Sequence, residues 1–346
     1  MGLRDEIFEQ PDVLQGVLDA QLGVIQRAAR AIRAREVGFV LLAARGTSDH
    51  AGVYAQYVWG ARNGLPVALA APSLFSLYGA APRLRDALVV GISQSGQSPD
   101  VVGVIAEGRR QGALTLAVTN DLASPLAQTA EFVLDVRAGP ERAVAATKTY
   151  TAELLSLAAL SAALRDNGED LRALARVPAA VRQALRLEPE VARLAARRRE
   201  MTQAVVLGRG FNYANAHEWA LKLKELTYVL ADPYSAADFQ HGPIAVVDSG
   251  FPVLVMAPGG AALPDLLALM RRLKQDYAAD LLVLSDDDEA LSLAGEDALR
   301  LPGGLPEWLS PLVSIIPAQL FCYHLARAKG LDTEAPRHIR KVTLTQ

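Results

Sequence analysis

One pattern occurs twice in this chain, once in each half. Leu41-Leu42-Ala43-Ala44-Arg45-Gly46 returns as Val205-Val206-Leu207-Gly208-Arg209-Gly210, each with a helical pattern behind it. Leu88-Val89-Val90-Gly91-Ile92 returns as Val253-Leu254-Val255-Met256, and a Pro-Asp pair follows in both places, Pro99-Asp100 and Pro264-Asp265. The spacing agrees as well: Gly46 precedes Gln94 by 48 residues and Gly210 precedes Ala257 by 47. Residues 281–285 then repeat 114–119. Short apolar runs rich in β-branched residues, alternating with helical stretches, imply a doubly wound parallel sheet. Their recurrence implies an internal duplication of one α/β unit. The expected fold class is therefore α/β, with two tandem doubly wound parallel-sheet domains.

The chain divides accordingly. Residues 1–36 form an N-terminal helical segment, with Leu14, Val17, Leu18, Leu22 and Ile25 on one face. Residues 37–165 form the first α/β domain, with strands expected at 37–43, 66–70, 88–92, 114–119 and 132–136 and a long helix within 141–164. Residues 166–200 show no strand pattern and read as a helical linker divided by Pro178 and Pro189. Residues 201–330 form the second domain, and 331–346 a C-terminal tail. A length of 346 residues suits two domains, each large enough for its own core.

Composition excludes several function classes. A net charge of −3 gives no electrostatic reason to expect nucleic acid or an anionic membrane surface. Arg197-Arg198-Arg199 reads as a solvated helix face. The single Cys322 excludes a disulfide framework within the chain and suits a reducing compartment. The opening residues, Met1 to Glu6, carry no apolar segment, and no apolar run approaches the roughly 20 residues of a membrane span. The expectation is a cytoplasmic protein.

The first half carries the densest polar signal. After the strand ending at Ile92 comes Ser93-Gln94-Ser95-Gly96-Gln97-Ser98, and Pro99 stands where the next helix would start. Three hydroxyls, an amide and a glycine at a helix N-terminus suit a phosphate dianion, because backbone N–H groups and the helix dipole face the charge. The loop has no lysine and is not the nucleotide-binding loop G-x-x-x-x-G-K-[ST]. A sugar monophosphate fits it better than ATP. Alone, the stretch reads equally well as a Ser-rich turn that caps a helix.

The second half has Ala257-Pro258-Gly259-Gly260 at the matching place and no hydroxyls, so it should supply something else. Gly208-Arg209-Gly210 resembles the start of a dinucleotide fingerprint, but Tyr213 stands where the last small residue is needed, which disfavours nicotinamide binding. In the helix that follows, Trp219, Leu223, Leu226 and Leu230 make one apolar face. Glu218, Lys222 and Glu225 make an adjoining one at i, i+4 and i+7. For an arbitrary helix this would be a surface salt-bridge stripe. His241 lies in a loop closed by Gly242-Pro243, not in a helix core, which favours a functional role. His50, His217 and His324 fall in helical patterns without metal-ligand spacing, His338 sits in the tail, and no metal site is expected. The tail carries an apolar and cationic pattern, Pro336-Arg337-His338-Ile339-Arg340-Lys341-Val342-Thr343, able to dock over a pocket.

These stretches resemble the double SIS (sugar isomerase) domain family. The resemblance is to the isomerase half of glucosamine-6-phosphate synthase and, more closely, to free-standing type II glucosamine-6-phosphate deaminases. It rests on Glu6-Ile7-Phe8-Glu9-Gln10-Pro11, Arg45-Gly46-Thr47-Ser48, Ser93-Gln94-Ser95-Gly96, Ala146-Thr147-Lys148, Leu221-Lys222-Leu223-Lys224-Glu225, His241-Gly242-Pro243 and Pro336-Arg337 through Lys341. These lie in the family's order over almost the whole chain. The resemblance implies phosphate binding by Ser93, Gln94, Ser95 and Ser98, with Thr47, Ser48 and Val144 also among the substrate contacts. It places the proton-transfer carboxylate on Glu225, the ring-opening histidine on His241 and the carbonyl-binding lysine on Lys341. Glu218 and Lys222 would orient Glu225. It implies a homodimer, because the family's histidine comes from the neighbouring subunit, and it implies no cofactor. Two departures from the synthase stand out: Arg45 where the synthase has Cys, and Gln97-Ser98-Pro99, as in the deaminases, where the synthase has Glu-Thr.

The chemistry agrees with these assignments. Interconverting a 2-amino aldose and a ketose needs ring opening and then proton movement between C1 and C2. A histidine near neutrality suits the first task and a carboxylate on a fixed helix the second. A lysine can condense with the ketose carbonyl and acidify the adjacent C–H. Residue 2 is Gly and Cys322 lies in the last helix, so the family's glutaminase reaction is not expected of this chain. The first expectation is deamination of glucosamine 6-phosphate to fructose 6-phosphate and ammonia. The alternatives are the isomerase half of a glutamine–fructose-6-phosphate aminotransferase, an isomerase or deglycase for another phosphosugar, and a non-catalytic sugar-phosphate sensor. Sensors of this kind usually carry a helix-turn-helix, for which the first 36 residues give no turn signal.

Overall fold

A computed structural model describes residues 2–341. Among them are two five-stranded parallel sheets. The first contains β1 (Phe39–Ala43), β2 (Val67–Leu69), β3 (Ala87–Ile92), β4 (Leu114–Thr119) and β5 (Phe132–Asp135), in the order β2-β1-β3-β4-β5. The second contains β6 (Gln203–Gly208), β7 (Leu230–Ser235), β8 (Pro252–Met256), β9 (Asp280–Ser285) and β10 (Ala298–Arg300), in the order β10-β9-β8-β6-β7. With β6 to β10 standing for β1 to β5, the two orders are the same. The duplication read from the sequence is a duplication of topology.

Contacts divide the chain into two compact units. The first-repeat unit comprises residues 12–141, 148–175 and 340–341; the second-repeat unit comprises 2–11, 142–147 and 176–339. In the first, β3 and β4 are buried along their whole length, as central parallel strands covered on both faces must be. Leu41, Val89 and Ala117 meet Val101, Val104 and Ile105 of helix Pro99–Arg110. Helix Thr47–Asn63 packs with helix Lys148–Arg165, and the Trp59 indole N–H donates to the Leu157 carbonyl at 3.1 Å. The second unit repeats the plan. Val253, Val255, Leu281 and Val283 meet Leu266, Met270 and Leu273 of helix Leu263–Gln275. Helix Tyr213–Thr227 packs with helix Pro311–Ala328, joined by an edge-on contact of Trp219 and Phe321 at 5.8 Å between centroids. Each fully buried Val or Leu in these layers contributes about 1.5–3 kcal/mol.

Three expectations are corrected. Leu230 is not on the apolar helix face. The helix stops at Thr227, Tyr228 takes the left-handed conformation that closes it, and Leu230 opens edge strand β7 with 75% of its surface exposed. Arg198 is not solvated: it is 7% exposed and pairs with Asp280 at 2.8 Å and Asp297 at 3.0 Å. The segment Glu307–Ala328 is long and apolar enough by composition to cross a membrane, but it is the buried helix of the second unit, with 83% of its most apolar stretch covered. The stretch expected as a linker holds three short helices, Gly168–Leu174, Val177–Leu185 and Glu188–Arg197, with Pro178 and Pro189 in their first turns.

Candidate active site

In an open parallel sheet, ligands bind beyond the carboxyl ends of the strands where the chain order reverses. In the first sheet that point lies between β1 and β3, whose successors run to opposite sides. Thr47 and Ser48 follow β1, and Ser93-Gln94-Ser95-Gly96-Gln97-Ser98 follows β3, so both polar stretches open onto this crevice.

The turn after β3 is held from within. Ser93 Oγ accepts the Gly96 N–H at 3.1 Å, and Ser95 Oγ accepts the Gln97 N–H at 3.3 Å. The Gln94 carbonyl accepts from Asn120 N–H at 3.1 Å, fastening the turn to the end of β4. Gly96 has φ +61°, and a Cβ there would overlap the Ser124 side chain. Ser98 occupies the N-cap of helix Pro99–Arg110, yet its hydroxyl caps no helix N–H. Ser48 donates to Glu153 Oε1 at 2.9 Å, both groups buried. Arg45 donates through Nε to Asp100 Oδ2 at 2.7 Å, with Nη2 equally close.

The second-repeat unit holds Glu218, Lys222, Glu225, His241 and Val144. The three helix residues form a network and not a surface stripe. The Lys222 ammonium lies 3.4 Å from Glu218 and 2.5 Å from Glu225; Glu218 is fully buried, Lys222 is 2% exposed and Glu225 23%. Burial alone would lower the Lys222 pKa, but the two carboxylates more than offset this and hold it above the ordinary lysine range. A buried carboxylate and ammonium thus fix a third group that remains open to solvent. Cys322, on the packed helix behind, is fully buried, and burial pushes its thiol up. His241 is exposed in the turn between helix Ala236–Phe239 and the 3-10 turn Pro243–Val246. The structure does not bring His241 and Glu225 together in one unit. Glu225 lies in the last turn of its helix, beside the end where β7 begins, whereas His241 lies past the end where β7 stops. A six-residue strand puts about 20 Å between those ends.

The tail is docked. Glu334 accepts the Leu3 N–H at 3.0 Å, and the Arg337 guanidinium stacks 3.8 Å from the Tyr228 ring centre, at the end of the helix that carries Glu225. Lys341 belongs to the first-repeat unit, where its Nζ donates to Glu141 Oε2 at 2.6 Å. Residues 342–346, including Val342 and Thr343 of the tail pattern, lie outside the described residues.

Sequence reasoning missed the carboxylates that hold these groups. Glu141 is buried and also accepts from the Thr149 N–H and hydroxyl, at 3.1 and 2.9 Å. Glu6, in the Glu6–Pro11 stretch, accepts the Arg142 N–H at 2.5 Å and the Ala143 N–H at 3.3 Å, fixing the backbone next to Val144. Glu153 was the most readable, as a lone carboxylate inside an apolar helix.

Comparison with known proteins follows the same lines. The SIS domain profile matches residues 35–163 and 199–328. The glutamine–fructose-6-phosphate aminotransferase (isomerizing) of Aquifex aeolicus strain VF5 is 34% identical over 342 residues, covering 99% of this chain and 57% of that protein. Its counterpart from Methanothermobacter thermautotrophicus is 35% identical over 339 residues, covering 97% and 56%. The chain thus spans a little over half the length of the curated relatives it matches. Among solved structures, a protein provisionally described as a phosphosugar isomerase from Silicibacter pomeroyi DSS-3 aligns with a TM-score of 0.85 at 35% identity, covering 96% of this chain and 99% of that one. The C-terminal domain of glucosamine-fructose-6-phosphate aminotransferase from Francisella tularensis aligns with a TM-score of 0.85 at 26% identity, covering 96% of each. A glucosamine-6-phosphate deaminase from Thermotoga maritima, 19% identical with a TM-score of 0.78, shares the fold. With one profile match on each repeat and relatives aligned along nearly all of its length, the chain belongs to the SIS domain family.

Proposed function

We propose that this chain interconverts a 2-amino aldose 6-phosphate with the ketose 6-phosphate and ammonia. A proton moves between C1 and C2 to relate the amino aldose to the C2 imine of the ketose, and water exchanges with ammonia at that imine. The first step is the isomerase part of the chemistry named in its relatives. The observation that carries this reading is the Glu218–Lys222–Glu225 network, which spends two buried charges on fixing one accessible carboxylate. A phosphate would be held by Ser93, Gln94, Ser95 and Ser98, with Thr47, Ser48 and Val144 toward the sugar. His241 would open the ring, and Glu225 would carry the proton between the two carbons. Lys341 would condense with the ketose carbonyl, releasing water, with Glu141 holding the ammonium until then. The working unit would be a homodimer, because within one chain Glu225 and His241 flank opposite ends of strand β7.

The relatives' names favour the aminotransferase isomerase half over the deaminase expected from the sequence. Deamination stays as the second reading, on the deaminase-like Gln97-Ser98-Pro99 turn. The test is to incubate the protein in deuterated water with glucosamine 6-phosphate, and separately with fructose 6-phosphate plus ammonia. Deuterium should enter at the carbon that gains the proton, and Glu225→Gln should abolish it. Fructose 6-phosphate and ammonia formed from glucosamine 6-phosphate alone would establish the deaminase reading; aminosugar formed only with an ammonia source would establish the synthetic one. No deuterium uptake from either substrate would overturn the isomerase reading.

A further inference from the structure

The pair formed by Arg45 and Asp100 stands at the proposed phosphate site, and the chemistry assigned above leaves it unused. Asp100 lies in the first turn of helix Pro99–Arg110, two residues past Ser98, and its side chain is 1% exposed. A buried carboxylate beside a site for a dianion should repel that dianion and oppose the helix dipole's attraction for it. Arg45 answers this by fixing Asp100 through two donors, Nε and Nη2, both 2.7 Å from Oδ2, while half of its own side chain stays exposed.

The second repeat supplies an internal comparison. Arg209 pairs with Asp265 at 2.9 Å, and Asp265 lies in the first turn of helix Leu263–Gln275. Here the helix N-terminus does hold an anion, provided by the chain itself. The Glu307 carboxylate accepts from the Ala261 N–H at 2.8 Å and the Ala262 N–H at 3.3 Å. Gly260 makes the room, since a Cβ there would overlap Glu307. In the fold's second copy a carboxylate thus occupies the N-terminus of the helix whose first turn carries the Arg-paired Asp265, there 61% exposed where Asp100 is buried, and the first copy offers the hydroxyls of Ser93, Ser95 and Ser98 at the matching turn.

We infer that Arg45 is a positioning residue of the phosphate site: it neutralises and fixes Asp100, so that the N-terminus of Pro99–Arg110 accepts a doubly charged ligand. This rests on the phosphate reading of the Ser93–Ser98 turn.

The test is a mutant cycle on the full chain, with inorganic phosphate binding measured by calorimetry and kcat and KM measured on glucosamine 6-phosphate. Arg45→Met should weaken phosphate binding about tenfold, and KM should rise by more than kcat falls. Asp100→Asn alone should bind phosphate at least as well as the wild type. The double variant should return to within about threefold of wild type, since the charge that Arg45 cancels is gone. Arg45→Lys keeps the charge and should recover most of the loss, which decides the matter even if Asp100→Asn folds poorly. If both single variants lose phosphate equally, and neither the double variant nor Arg45→Lys recovers it, the pair is a structural clasp and the inference falls. If the wild type binds no phosphate, the phosphate reading falls first and takes this inference with it.

Discussion

Lys222 shows how far a single residue could be read. Its i, i+4 and i+7 spacing with Glu218 and Glu225 was legible, but a helix wheel cannot say whether a charged face meets water or a packed helix. Burial made the difference, and it came from helix Pro311–Ala328, distant in sequence. The same blindness hid Glu141 and Glu6, whose partners lie 200 and 136 residues away. Lys222→Met should cost about 3–5 kcal/mol, because it strands the fully buried Glu218 carboxylate without its counter-charge. Urea unfolding should show a lower midpoint with an unchanged slope. The folded pKa of Lys222 is raised, so its stabilisation is complete below the unfolded lysine value and is lost only as pH rises through the folded one. The deficit contributed by this ammonium should therefore stay constant across about pH 6 to 9. A variant as stable as the wild type would show that the three charges are not coupled.

At the scale of elements, the strands buried on both faces were the most legible. β3 was anticipated to within one residue and β4 to the residue, because apolar β-branched runs between turn signals have few other uses. The second sheet's two edge strands were not anticipated. β7 contains Asp232 and Pro233, which edge strands tolerate and apolar patterns do not reveal, and β10 has only three residues. The proposed site lies mainly in turns, where legibility depended on residue type. Gly96 is the sharpest instance: its positive φ and the overlap a Cβ would make with Ser124 leave room for glycine alone. Gly96→Ala should cost about 1–3 kcal/mol through that overlap, with a further contribution from backbone strain. It should also push apart the bonds that Ser93 and Ser95 make to the turn backbone. Thermal unfolding should show the loss, and the KM for a phosphosugar should rise by about tenfold or more, each 1.4 kcal/mol of lost binding being one factor of ten. An unchanged KM in a destabilised Gly96→Ala protein would separate this turn from substrate binding.

At the scale of the whole molecule, the two repeats share one topology and put different ends of it to use. The first opens its switch-point crevice to polar side chains, while the second fills the matching helix N-terminus with Glu307. On the proposed reading the second repeat contributes instead from both ends of its strands, with Glu225 at the end where β7 begins and His241 beyond the end where it stops. The six residues of β7, about 20 Å of strand, lie between the ends at which those two groups stand. On that reading one substrate would meet both when they come from different chains. Glu225→Gln and His241→Ala should each abolish turnover as pure proteins. Mixed under conditions of subunit exchange, they should form heterodimers with one of the two shared sites intact, since both substitutions fall together in the other site. With random exchange half of the dimers are mixed, so about a quarter of wild-type activity should return. A double variant carrying both changes in one chain, exchanged with wild-type protein, should leave each site of the heterodimer missing one group and give no active mixed dimer. Recovery from the mixed single variants with silence from the double-variant heterodimer would fix the shared site. Demonstrated heterodimers of the single variants with no recovered activity would put both residues in one subunit's site.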